Sequence, residues 1–192
     1  MLAGRTASQL GMPNAMIQTV RAGGLLHDVG KLLVPLKILQ KKRRLNPREW
    51  SELKSHPEMG VELLDRAGVP DEVCEIVLFH HERYDGMGYP DHLAGRAINW
   101  TVRLVSVMDA FDALTTAREL REPMSIEAAR TAIAREAGRR FCPWAVCALL
   151  SMPVSLLKPQ ADASEPTYRP DARADVDCVV SPRVWTALVP TN

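Results

Sequence analysis

Four of the five histidines in this 192-residue chain stand beside other groups that can bind a metal: His27 next to Asp28, His56, and the pair His80-His81. A single histidine on an apolar helix is more often a core or capping residue than a ligand, so the grouping carries the signal. In Leu25-Leu26-His27-Asp28-Val29-Gly30-Lys31 an imidazole and a carboxylate close an apolar helix, just before a glycine that lets the chain turn. Asp109 sits inside the apolar run RLVSVMDAFDALTT, where an ionised carboxylate is costly unless it is paired or bound to a metal. Histidine and aspartate donors without thiolate suit iron, manganese or magnesium better than a tetrahedral structural zinc. Two such ions, roughly 3.5–4 Å apart and sharing a carboxylate, hold a hydroxide between them and orient a phosphodiester for attack. Phosphodiester hydrolysis is the chemistry those residue types point to.

The elements that must position these residues read as helices. Apolar spacing through most of residues 14–150 is helical and alternating β-branched runs are scarce, so the fold class is all-α. Helices are predicted over 14–27, 47–66, 71–82, 98–117 and 125–138. Asn46-Pro47-Arg48-Glu49 reads as a capping-box start, and Gly68 stands where a helix favours a left-handed residue after its end. Residues 83–97, RYDGMGYPDHLAGRA, form a long loop of the kind that is usually functional in a compact helical domain. Residues 1–157 are expected to form one domain. Residues 158–192, rich in proline and small polar residues, read as a flexible tail.

Composition narrows the function classes. The chain is 46% hydrophobic and carries 24 basic against 23 acidic residues, a net charge of +1, which gives no support for a DNA or RNA duplex as partner. The one basic block, Lys41-Lys42-Arg43-Arg44, reads as a solvated loop. Cys74, Cys142, Cys147 and Cys178 show no C-x-x-C spacing, as in a reduced, cytoplasmic protein. The N-terminus lacks the pattern of a signal peptide, and no apolar run is long enough for a membrane segment.

Taken in order, HDVGK at 27–31, HPEMG at 56–60, HHERYDGMGYP at 80–90 and DAFDALTTAR at 109–118 resemble the successive signatures of the HD-GYP family, a branch of the HD phosphohydrolases. The resemblance covers residues 14–145. It implies an HD-type helical bundle, two or three divalent ions of iron or manganese, and hydrolysis of cyclic di-GMP to linear pGpG or to GMP. By resemblance, His27, Asp28, His56, His80, His81 and Asp109 are metal ligands, with Asp28 as the bridging catalytic carboxylate. Lys31 matches a lysine that contacts substrate phosphate. Arg118 and Arg121, one helical turn apart, match the cations that hold the dinucleotide. Gly86, Gly88, Tyr89 and Pro90 match the GYP loop, with Gly86 and Tyr89 on the substrate side. Glu82 and Asp85 are expected to fix that loop, and His92 to lie on the surface. A cyclic dinucleotide is the implied partner, with an upstream sensor or receiver domain and a homodimer as the macromolecular ones to look for.

The sequence also departs from the family pattern. Members carry a further histidine ligand upstream of the HD pair, whereas the 26 residues before His27 contain no His, Asp or Glu. N-terminal truncation, with GRTASQLGMP as the end of the lost ligand helix, is the expected explanation, and with it weak metal binding between His27 and Asp109 in this chain. The family's Arg-Pro-Tyr-Arg reads Arg118-Glu119-Leu120-Arg121, and its Phe-Asp-Pro reads Phe141-Cys142-Pro143. The competing reading is an impaired HD-GYP module that binds nucleotide or proteins without turnover. Retention of six ligand-type side chains near an apolar core favours the enzyme, because unused buried polar groups are costly.

Overall fold

Seven buried side chains on one helix, Thr101, Val102, Leu104, Val105, Val107, Met108 and Phe111, show where the centre of the fold lies. In the computed structural model, which describes residues 2–117 and 122–157, this helix is Trp100–Thr115. In chain order the helices are α1 Leu2–Gln9, α2 Asn14–Leu26, α3 Leu36–Leu39, α4 Pro47–Lys54, α5 His56–Arg66, α6 Asp71–Phe79, α7 Trp100–Thr115, α8 Ile126–Ala134, α9 Pro143–Ser151 and α10 Val154–Leu157. Short 3-10 turns cover Val29–Leu33 and Gly95–Ala97. Helix α7 packs on α1, α2, α6, α8 and α9, so it is apolar around most of its circumference, as expected of an enclosed helix. The turn Val29–Leu33 and α6 both pack on α5, and α2 lies between α1, α6 and α7.

The all-α reading holds: among the described residues there is no strand, only isolated bridges at Asp85–Ala94 and Ala137–Phe141. The capping box is present, with Asn46 Oδ1 accepting from the Glu49 backbone and Glu49 accepting from that of Asn46. Gly68 takes a positive φ of 69° just beyond α5.

The structure corrects the sequence reading in several places. The single helix expected over 47–66 is two helices broken at Ser55, because Pro57 has no N–H to give to the carbonyl of Leu53, four residues earlier. The helix expected over 71–82 ends at Phe79, which leaves His80 and His81 in the turn that follows. Helices α7 and α8 are shorter at both ends than predicted, while α1, α3, α9 and α10 were not predicted. Among the described residues no helix is long and apolar enough to cross a membrane. Arg118, Arg121 and the tail 158–192 lie outside the described residues.

Candidate metal centre

Three helix ends meet around Asp28. Helix α2 stops at Leu26, α4 at Lys54 and α6 at Phe79, and one or two residues further on stand His27, His56 and His80. The last carbonyls of a helix have no intrahelical donor. Here imidazoles supply it: His27 Nδ1 lies 2.7 Å from Gly24 O, His56 Nδ1 2.7 Å from Leu53 O, and His80 Nδ1 2.8 Å from Val77 O. A carbonyl oxygen only accepts, so each Nδ1 carries a proton and the lone pair of each neutral ring falls on Nε2. Leu53 O is the carbonyl freed by Pro57, so the break in the helix and the orientation of His56 have one cause.

The Nε2 atoms point at the two oxygens of Asp28. Oδ2 faces His27 Nε2 at 3.4 Å and Lys31 Nζ at 2.6 Å, and His27 Nε2 also lies 3.4 Å from Asp109 Oδ1. Oδ1 faces His56 Nε2 at 3.4 Å and His80 Nε2 at 3.8 Å. Asp28, His56, His80 and His81 each bring a donor atom within 4.8 Å of the others. One carboxylate therefore separates two donor sets: His27 and Asp109 on one side, His56, His80 and His81 on the other.

Two observations test whether this set fits divalent cations. Asp28 Oδ1 is buried and has no hydrogen-bond partner, an arrangement that costs stability unless something positive meets it. His56 and His80 bring their Nε2 atoms within 3.4 Å of each other, each with Nδ1 already committed to a carbonyl. In that tautomer the two rings turn lone pair toward lone pair, and a bound cation would relieve both this and the unpartnered Oδ1. The donor set fits.

Electrostatics sort the groups by side. Burial pushes the Asp28 carboxyl up, but His27, His56 and Lys31 outweigh it and hold it far below the usual carboxylate range. Burial works against the charge on His27, yet the carboxylates of Asp109 and Asp28 raise it to about 10. Asp109 is lowered, its burial outweighed by His27. On the other side burial, reinforced by neighbouring histidines, lowers His80 well below its ordinary value and His81 to about 3. His80 and His81 are thus neutral and ready to coordinate at neutral pH, while His27 holds a proton that a metal must displace.

Packing fixes the cluster in place. Gly30 is needed for close approach and has no positive φ: a Cβ there would lie 1.8 Å from His56 O and 2.6 Å from Gly60 N. The expectation that this glycine turns the chain gives way to a tight seating of the HD turn on α5. Ser106 Oγ donates to His80 O at 2.8 Å, tying the α6 end to α7, which also carries Asp109.

The loop after His81 folds back over the cluster. Tyr89 stacks on His81 with ring centroids 4.8 Å apart and planes at 26°. Tyr89-Pro90 is a cis peptide. A Cβ on Gly88 would meet the Glu82–Arg83 backbone at 2.4–2.7 Å. Glu82, buried, accepts from the Asp91 backbone at 2.7 Å, and Asp85 pairs with Arg83 and accepts from the Met87 backbone, so both acids fix the loop as expected. Gly86 turns with φ 77° beside the Asp85–Ala94 bridge, and His92 is exposed.

Sequence reasoning did not single out Trp50 and Lys54, one helical turn apart on α4. Lys54 Nζ lies 5.8 Å from the centroid of the Trp50 ring and 4.9 Å from that of Tyr89. The i,i+4 spacing and the position of Lys54 two residues before His56 were the available signals.

Fold and cluster together define an all-helical domain whose helix ends carry a candidate metal centre. The chain belongs to the HD domain family, whose model matches residues 1–143, and within it to the HD-GYP branch. It is 40% identical over 153 residues to the cyclic di-GMP phosphodiesterase response regulator RpfG of Xanthomonas campestris, a match covering 78% of this chain and 40% of that protein. It is 36% identical over 153 residues to a cyclic di-GMP phosphodiesterase of Thermotoga maritima, covering 79% of this chain and 42% of the relative. The structure resembles that of Bd1817, an HDG"Y"P protein of Bdellovibrio bacteriovorus, with a TM-score of 0.62, 25% identity, and coverage of 77% and 47%. The chain spans about two fifths of the length of the two curated relatives.

Proposed function

We propose that this chain is a metal-dependent phosphodiesterase that hydrolyses a cyclic dinucleotide, cyclic di-GMP first among candidates, to linear pGpG or on to GMP. The observation that carries the reading is the division of Asp28 between two donor sets, His27 with Asp109 at one oxygen and His56, His80 and His81 at the other. The two donor sets would hold one ion each, and iron or manganese suits their nitrogen and oxygen donors. Bound there, divalent ions supply the Lewis acidity that activates water and neutralises charge on the phosphodiester.

The protein's own groups do the positioning. Lys31 stands at the edge of Asp28 and is assigned a non-bridging phosphate oxygen. Tyr89 walls the His81 side. Arg118 and Arg121 are assigned the dinucleotide phosphates. Hydrolysis adds the hydroxyl of water to phosphorus, breaks one P–O bond to ribose, and leaves a proton on the departing oxygen. The setting proposed is the cytoplasm, which agrees with Cys74, Cys142 and Cys147 all being unpaired.

The test is turnover of cyclic di-GMP with manganese or iron(II) supplied, beside bound metal measured by elemental analysis. The wild-type chain is expected to release pGpG or GMP, and Asp28→Ala to lose turnover and the metals together. An Asp28→Ala protein with normal turnover overturns the bridging assignment. The second reading, a nucleotide-binding module without turnover, draws on the absence of His, Asp and Glu from residues 1–26 and is met by binding without hydrolysis under the same conditions.

A further inference from the structure

Lys54 is a cation that the site's wall holds but does not neutralise. Lys31 is paired with Asp28 and Lys41 with Glu49, whereas half-buried Lys54 has no carboxylate within ion-pair distance among the described residues. Its ammonium instead lies against two rings, Tyr89 at 4.9 Å and Trp50 at 5.8 Å. Cation–π attraction fixes a charge in place without cancelling it, so the full positive charge stays available to an anion. The position is specific. Tyr89 stacks on His81 of the metal cluster, and Trp50 is 47% exposed, so His81, Tyr89, Lys54 and Trp50 form a row leading from the cluster to solvent.

A cyclic dinucleotide carries two phosphodiester monoanions on opposite sides of its ring. When one lies at the metal centre, the other must be received elsewhere. We infer that Lys54, held between Tyr89 and Trp50, joins Arg118 and Arg121 in holding the dinucleotide phosphates and takes the phosphodiester that is not being cleaved. The inference rests on the cyclic-dinucleotide reading above and gives that site a second point of charge recognition. It makes Lys54 a substrate-binding residue and predicts that a diester with one phosphate gains nothing from it.

The test compares wild type with Lys54→Met, which keeps the side-chain stem, and Lys54→Arg, which keeps the charge. Affinity is measured for cyclic di-GMP, 3'3'-cGAMP and cyclic di-AMP by calorimetry, in the full chain with calcium and at two salt concentrations, beside hydrolysis of cyclic di-GMP and of bis(p-nitrophenyl) phosphate with manganese. Lys54→Met is expected to weaken binding of whichever dinucleotide the wild type binds by about tenfold and to flatten its salt dependence. The effect on hydrolysis is expected in KM rather than in kcat. Lys54→Arg should recover most of the affinity. Unchanged dinucleotide affinity and salt dependence in Lys54→Met overturns the inference, as does an equal rise in KM for the single-phosphate diester. If the wild type cleaves bis(p-nitrophenyl) phosphate yet binds no cyclic dinucleotide, the substrate reading itself fails, and this inference with it.

Discussion

At the scale of residues, the candidate centre turns on which nitrogen of each imidazole holds a proton. Gly24, Leu53 and Val77 carbonyls decide this for His27, His56 and His80. The electrostatic asymmetry across Asp28 then has consequences in pH. His27 is raised from 6.5 to about 10, so without metal its contribution to stability is present in full below pH 6.5 and is lost as pH rises toward 10. His81 is lowered from 6.5 to about 3, so its contribution is present above pH 6.5 and is lost as pH falls toward 3. The contributions of these two groups to the metal-free protein are therefore largest together near pH 6.5. Metal uptake at pH 8 should expel about one proton, from the His27 side, because His80 and His81 opposite are already neutral. Calorimetric titration of manganese in buffers of different ionisation enthalpy reads that number, and an apparent heat independent of the buffer refutes the assignment of His27.

At the scale of elements, three helices are cut short where the cluster needs them. The C-terminal ends of helices carry partial negative charge, and those of α2, α4 and α6 face the same cluster, which favours cations there. The close seating of the turn Val29–Leu33 on α5 holds His27 and Asp28 against His56, and it depends on Gly30. Gly30→Ala places a methyl group against the backbone at His56 and Gly60, which cannot yield as a flexible side chain can. A loss of about 1–3 kcal/mol is expected in urea denaturation, with fewer ions bound per chain. Gly60→Ala meets mainly Val77 Cγ1 at 2.9 Å, a side-chain atom that can shift, and should cost less. Equal stability of Gly30→Ala and wild type would remove close packing as the reason for the glycine.

At the scale of the whole molecule, α7 passes through the centre of the described fold and carries Asp109 to His27, so core and centre share one support. Ions that bind only the folded state should therefore stabilise the domain as a unit. Free manganese at about one hundred times its dissociation constant is expected to add about 2.7 kcal/mol. For a domain of this size that is a rise in melting temperature on the order of 5–10 °C. Chelation with EDTA should reverse the rise, and Asp28→Ala should not show it. A melting temperature indifferent to both manganese and EDTA would separate the cluster from the stability of the fold.

The all-α class and the candidate donors could be read from the sequence. Helical spacing is local, and the side chains suited to hard or borderline cations are few and grouped. Local signals also marked the Asn46 cap and the turn at Gly68. They did not reveal the break at Ser55, although Pro57 was visible, because apolar spacing continues across it and tertiary packing determines whether a proline bends a helix or ends it. Nor could they show that Asp28 divides its oxygens between two sets of donors. That depends on side chains 24 to 82 positions apart meeting at 3–4 Å, as His56 and His80 do and as His27 and Asp109 do. Residue types and their order determined which groups could bind metal; the packing of α2, α5, α6 and α7 decided which of them face one another, since distance in space between remote residues is set by the core that folds them together.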